Sequence, residues 1–229
     1  MIYITGDIHG EVKRIKAFSE YYELNEDDIV IILGDVGVNY YLDSRDRKNK
    51  KILSQLKPTI FCIHGNHEQR PYLIEGYLKK DWNSGEVWYQ EEYPNLLFAE
   101  DGCVFELGGH KALVIGGAYS VDKYYRLERG YGWWDSEQPN DEIKKKVEDA
   151  IRDNPDIDIV LSHTCPFKYE PREMFLSMID QSTVDSSTEE WLDKIEESLG
   201  YKRWYCGHWH TDKKIDRMVF MFKDFTVID

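Results

Sequence analysis

Five times along this chain an apolar run gives way within a few residues to Asp, Asn or His, and this recurrence restricts the fold more than any other feature. The junctions are Gly6-Asp7-Ile8-His9-Gly10, Gly34-Asp35, Gly65-Asn66-His67-Glu68, Ser162-His163 and Gly207-His208-Trp209-His210. Each follows a segment that reads as a strand, at residues 2–5, 28–33, 59–63, 157–161 and 204–206. Ile29-Val30-Ile31-Ile32-Leu33 is unbroken and mostly β-branched, the pattern of a strand covered on both faces. Loops outside the carboxyl ends of strands in an open α/β sheet converge on one edge. Five polar blocks at five such ends can therefore meet in space.

Helical patterns alternate with these strands. Residues 11–22 place Val12, Ile15 and Phe18 or Ser19 on one face, and residues 43–56 form a more polar helix. Residues 141–153 read as a helix capped by Asn140. Ser187 with Glu190 suggests a capping box before the stripe Trp191, Leu192, Ile195 and Leu199, with a stop at Gly200. Further strands are expected at 96–98, 103–107, 112–115, 218–222 and 225–228, the second and third joined as a hairpin across Gly108-Gly109-His110. Residues 118–139 resist assignment and carry Tyr119, Tyr124, Tyr125, Tyr131, Trp133 and Trp134, which reads as a long loop excursion. No linker or repeat interrupts the pattern, so one domain is expected over 1–229.

Composition narrows the partners. The net charge of −14 disfavours long duplex nucleic acid, whose binding is dominated by Lys and Arg on phosphates. It leaves room for a small anionic substrate, since bound metal ions reverse the local sign of a site. Cys62, Cys103, Cys165 and Cys206 are far apart and form no C-x-x-C pair, as expected of reduced thiols. No apolar run reaches membrane-spanning length, and Ile2 to Thr5 already reads as a strand rather than a leader. A cytoplasmic protein without a membrane partner is the expectation; oligomeric state is not legible.

The residue types decide the chemistry. Carboxylates, an amide oxygen and imidazoles, with no thiolate, form a donor set for manganese, iron, zinc or similar ions. Two such ions about 3.5–4 Å apart clamp the attacking and leaving oxygens in phosphoryl hydrolysis. Alternate residues at an extended strand end point the same way, so Asp7 with His9 and His208 with His210 can ligate together. Taken singly, each of these residues could serve only as a cap or turn former.

The ordered set Asp-x-His, Gly-Asp, Gly-Asn-His-Glu, His and Gly-His-x-His, from Asp7 to His210, resembles the calcineurin-like metallophosphoesterase superfamily. The resemblance implies an α/β fold in which two mixed β-sheets pack as a sandwich flanked by helices, four layers in all. It implies two divalent ions, manganese foremost, with iron, zinc, nickel or cobalt as alternatives. Asp7, His9 and His210 would hold the first, Asn66, His163 and His208 the second, and Asp35 would bridge. A hydroxide between the ions would attack phosphorus in line, and His67 would be the general acid.

Two departures separate the chain from the serine/threonine phosphatase branch. That branch has an Asp and an Arg shortly after the bridging Asp, whereas Gly34-Asp35-Val36-Gly37-Val38-Asn39-Tyr40 has neither. It also lacks the second histidine of the last block, here His210. A weaker likeness to RNA lariat debranching enzymes lies in Gly116-Gly117, Tyr119-Ser120 and Tyr124-Tyr125-Arg126. Those enzymes have a cysteine in the first block, where Asp7 and His9 are intact here.

The leading expectation is therefore a phosphomonoesterase or phosphodiesterase acting on small or nucleotide-like esters. A nuclease or nucleotide phosphodiesterase working on short or single-stranded ends is the alternative, and a non-catalytic metal-binding scaffold is a further one. Tyr124, Tyr125 and Arg126 are candidate substrate contacts by stacking or phosphate binding, against the plainer reading of a loop packed by its own aromatics. His64 is expected to be a packing residue, His110 an exposed turn residue and Glu68 a support or cap. Lys50-Lys51 and residues 144–146 are expected on solvated helix faces.

Overall fold

The apolar runs of the chain alternate with amphipathic segments, and in the computed structural model, which describes residues 1–228, they become strands and helices. The first half runs β1 (Ile2–Thr5), α1 (Val12–Tyr21), β2 (Ile29–Ile32), α2 (Ser44–Ser54), β3 (Thr59–Cys62), β4 (Leu78–Trp82), β5 (Gly85–Gln90) and β6 (Tyr93–Ala99). It continues with β7 (Val104–Leu107), β8 (His110–Ile115), α3 (Lys123–Arg129), α4 (Asp141–Asp153), β9 (Ile159–Ser162) and α5 (Ser187–Ser198). The chain then closes with β10 (Arg203–Cys206), β11 (Lys213–Ile215), β12 (Met218–Phe220) and β13 (Thr226–Val227).

The strands form two mixed sheets. One has seven strands in the order β13-β1-β2-β3-β6-β5-β4, the other six in the order β11-β12-β10-β9-β8-β7. β1, β2, β3 and β6 are parallel neighbours, as are β8, β9, β10 and β12. Period-two alternation sorts their side chains into layers. Ile31, Leu33 and Phe61 face Leu107, Val114, Leu161 and Tyr205 across the sandwich. Val30 and Ile32 turn the other way, onto Val12 and Ile15 of α1 and Leu53 of α2. On the far side Leu113 and Val160 meet Val147 of α4 and Trp191, Leu192 and Ile195 of α5. Each fully buried Ile or Leu contributes roughly 1.5–3 kcal/mol. The four-layer α/β sandwich expected from the resemblance is therefore the observed fold.

Several local expectations need correction. The hairpin β4–β5 is absent from the sequence reading, because Lys79, Lys80 and Asp81 break the apolar pattern, as charged edge strands do. Its turn places Asn83 and Ser84 at φ 46° and 69°, the left-handed pair of a tight hairpin. The expected capping box does not form: Asp185 Oδ1 accepts from Ser187 N at 3.0 Å, and Ser186 makes no side-chain cap. Asn140, by contrast, caps α4 by accepting from Ile143 N at 2.9 Å.

His110 is the first residue of β8 rather than an exposed turn residue, with Nδ1 2.8 Å from Asp158 Oδ2. Lys50 is buried, donating to Gln90 Oε1 at 2.7 Å, and burial lowers its pKa to about 8. The aromatic excursion is not all loop, since α3 lies within it. All four cysteines are free, and Cys62, Cys165 and Cys206 are buried. Among the described residues no helix is long and apolar enough to cross a membrane.

Candidate metal centre

The five polar blocks follow β1, β2, β3, β9 and β10, so three come from one sheet and two from the other. The carboxyl ends of these strands meet at one edge of the sandwich. Their turns are tight. His9, Asp35, His208 and His210 sit at φ 42°, 50°, 65° and 48°, a left-handed region that non-glycine residues adopt at a cost. Such strain costs on the order of 1–3 kcal/mol per residue and persists where the surroundings impose it. Two glycines allow the close packing. A Cβ on Gly65 would lie 2.1 Å from Asp35 Oδ1, and one on Gly34 (φ 97°) would lie 2.2 Å from His163 Nδ1.

Two clusters result. In the first, His9 Nε2 and His210 Nε2 are 2.9 Å apart, and Asp7 Oδ2 lies 3.7 Å and 3.3 Å from them. Asp7 itself is buried, its Oδ2 has no hydrogen-bond partner, and its Oδ1 accepts from His208 N at 2.8 Å. In the second, Asn66 Oδ1 lies 2.8 Å from His163 Nε2 and 3.0 Å from His208 Nδ1. Asp35 stands between the clusters. Its Oδ2 is 3.9 Å from His9 Nε2, and its Oδ1 is 3.8 Å from His163 Nε2 and accepts from His67 N at 2.7 Å.

The second cluster contains a test of fit. His163 Nδ1 lies 2.7 Å from Leu33 O, which can only accept, so Nδ1 carries the proton. A neutral His163 therefore turns an unprotonated Nε2 onto Asn66 Oδ1, acceptor against acceptor. Only a proton or a metal ion makes that contact attractive. The first cluster repeats the pattern, because two imidazole nitrogens 2.9 Å apart share a proton or a cation. Three groups, Asp7 with His9 and His210, Asp7 with Asp35 and His163, and His9 with Asp35 and His67, also have ligand atoms close enough together to hold an ion. The donor set of carboxylate, amide and imidazole fits divalent ions of intermediate softness.

Electrostatics agree. Burial opposes the ionisation of Asp7 and Asp35, yet both are lowered: Asp7 by the neighbouring His210 and His163, Asp35 by His163, His67 and His9. Two buried carboxylates side by side thus depend on positive charge around them. Burial, and then the charge of His163, brings His208 down to about 3, which keeps the ring neutral with one nitrogen unprotonated. Glu68 is fully buried beneath them, accepting from Gly65 N at 2.9 Å and Val36 N at 3.3 Å. Burial and the charge of Asp35 raise it to about 8, and its two bonds tie the two ligand loops together. His64 is buried, as a packing residue should be.

His67 lies on the rim. Its ring is 5.4 Å from that of His9 and 6.3 Å from that of Tyr40, and Nε2 is 3.9 Å from Asp122 Oδ1. Burial lowers its pKa; Asp35 acts against this and Arg126 with it. The three substrate contacts named from the sequence separate. Tyr124 and Tyr125 are exposed on α3, whereas Arg126 is buried, its NH1 3.2 Å from Ser120 Oγ and its guanidinium 5.3 Å from the Tyr40 ring centre. Sequence reasoning missed Ser120, Asp122 and Tyr40. It also missed Arg14 of α1, whose NH2 donates to Asp7 O at 3.0 Å and so braces the first block. Arg14 follows the first block by only a few residues, which was the one available signal.

Residues 1–212 match the family described as Calcineurin-like phosphoesterase. Among solved structures, TT1561 of Thermus thermophilus superposes with a TM-score of 0.56 at 12% identity, covering 97% of this chain and 89% of that one. A second structure gives a TM-score of 0.52 at 11% identity, covering 96% and 88%. At these identities the likeness concerns the fold alone. No curated protein sequence matches the chain.

Proposed function

The chain belongs to the calcineurin-like phosphoesterase family, and we propose that it is a two-metal hydrolase of phosphate esters. The observation that carries this reading is the acceptor-on-acceptor contact of His163 and Asn66 beside two buried carboxylates, an arrangement that calls for cations. In the proposed assignment Asp7, His9 and His210 hold one ion, and Asn66, His163 and His208 the other. Asp35 serves both, since each of its oxygens faces one cluster. When bound, the two ions would polarise the phosphate and supply a nucleophile at neutral pH.

The remaining work falls to protein side chains. His67 sits beside His9 at the open rim, where a leaving oxygen could reach it, and acts as general acid. A phosphate anion arriving next to it would raise its pKa and so load the proton it gives up. Asp122, 3.9 Å from Nε2, favours the same charged form. Tyr124 and Tyr125 offer exposed rings to an aromatic or nucleobase portion of the substrate. Arg126 lies behind them, with Nε and NH2 lacking partners, as the candidate phosphate contact. These features favour a small ester bearing a ring, so a nucleotide-like diester is the first substrate to try.

The test is hydrolysis of p-nitrophenyl phosphate and bis-p-nitrophenyl phosphate with added manganese, by the wild type, Asp35→Asn and His67→Ala. Metal-dependent turnover lost in Asp35→Asn is expected. Turnover indifferent to both substitutions would sink the mechanism, and two bound ions without turnover on any ester would point to a scaffold.

A further inference from the structure

The excursion between β8 and α4 reaches the candidate ligand Asn66 through Ser120. Ser120 is buried at the end of a segment tied to the ligand loop, since Gly117 N donates to His64 O at 2.8 Å. Its hydroxyl oxygen accepts from Asn66 Nδ2 at 2.9 Å and from Arg126 NH1 at 3.2 Å. The buried carboxyl group of Glu137 holds the same residue from its other side, accepting from Ser120 N at 3.3 Å and from Trp133 Nε1 at 2.8 Å.

This arrangement has a consequence for Asn66. A primary amide can present either its oxygen or its NH2 to a given neighbour, and only the oxygen can ligate a metal. Arg126 has no acceptor and so only donates to the Ser120 oxygen, and at that oxygen the Asn66 amide is the second donor, through Nδ2. Nδ2 thus faces Ser120 while Oδ1 faces His163 and His208. We propose that Ser120 is a positioning residue for Asn66: held between Glu137 and Arg126, it fixes the amide with its oxygen toward the second metal. The aromatic excursion is thereby part of the metal centre as well as a neighbour of the substrate. The inference rests on the two-metal reading above.

The experiment is a calorimetric manganese titration of the chelator-stripped full-length chain. The wild type should bind two ions. Ser120→Ala should weaken one site about 10–100-fold, the range seen when a hydrogen-bond partner of a metal ligand is removed, and leave the other unchanged. Ser120→Thr, which keeps the hydroxyl, should restore the affinity. Should the Ala variant not fold, Ser120→Cys keeps the volume with a much poorer acceptor and reads the same site. A purely structural role would lower the melting temperature of the stripped protein and leave both affinities alone, which overturns the proposal. A wild type that binds fewer than two ions would instead overturn the metal reading, and this inference with it.

Discussion

The two halves of the candidate centre are built differently. The half formed by Asp7, His9 and His210 is open, with the side chains of His9 and His210 36% and 46% exposed. The half formed by Asn66, His163 and His208 is closed, with His163 0% and Asn66 2% exposed. In the closed half two of the three residues are oriented by a further bond, His163 by Leu33 O and Asn66 by Ser120, while His208 is half-buried in a left-handed turn. In the open half His9 and His210 are held chiefly by their left-handed turns and by Asp7. A ligand fixed by neighbours loses little entropy on binding, whereas an exposed one must be ordered by the ion itself. The closed half should therefore hold its ion tightly and the open half exchange it.

The most severe way to break the asymmetry is to remove the residue shared by both halves. Asp35→Asn should lower metal-dependent turnover by about 10³-fold or more, the upper range for one electrostatic contributor, and weaken both manganese sites in titration. His67→Ala removes none of the seven proposed ligands. It should reduce kcat about 10²–10⁴-fold on esters with poor leaving groups, much less on nitrophenyl esters, with both affinities retained. His210→Ala should separate the halves, giving a protein that binds one ion tightly and one weakly. Dialysis of the wild type against a chelator should likewise remove the ions in two phases, and a single phase would argue for equivalent halves.

The smallest effect concerns the floor of the closed half. Glu189 of α5 is buried and is raised by that burial to about 7. A carboxyl raised in the folded state favours its protonated form. Its contribution to stability is complete below its ordinary pKa of 4.5 and is lost as pH rises through about 7. Glu189→Gln should then gain on the wild type between about pH 5 and pH 8 by on the order of 1–3 kcal/mol, a shift of a few degrees in melting temperature. A constant difference across that range would mean that Glu189 does not titrate there.

The same contrast explains what could be read in advance. Ile29 to Leu33 and the blocks that follow each strand declare themselves through period, β-branching and adjacent Gly. The four-layer fold came with the resemblance those blocks carry, and it is the fold observed. The candidate ligands are local to strand ends, which is why the sequence could offer them as candidates. Ser120, Asp122 and Tyr40 were not, because their roles depend on how the excursion and the segment after β2 close over the strand ends, which no short-range pattern encodes. Lys50 misled for a related reason: its helix reads as polar, while Gln90 and the ring of Tyr77 come from distant segments to cover it.

The most direct measurement is an anomalous difference map from crystals grown with manganese. Two peaks are expected, one among Asp7, His9 and His210 and one among Asn66, His163 and His208, with Asp35 reaching both. A single peak, or ions bound away from these side chains, would contradict a two-metal centre.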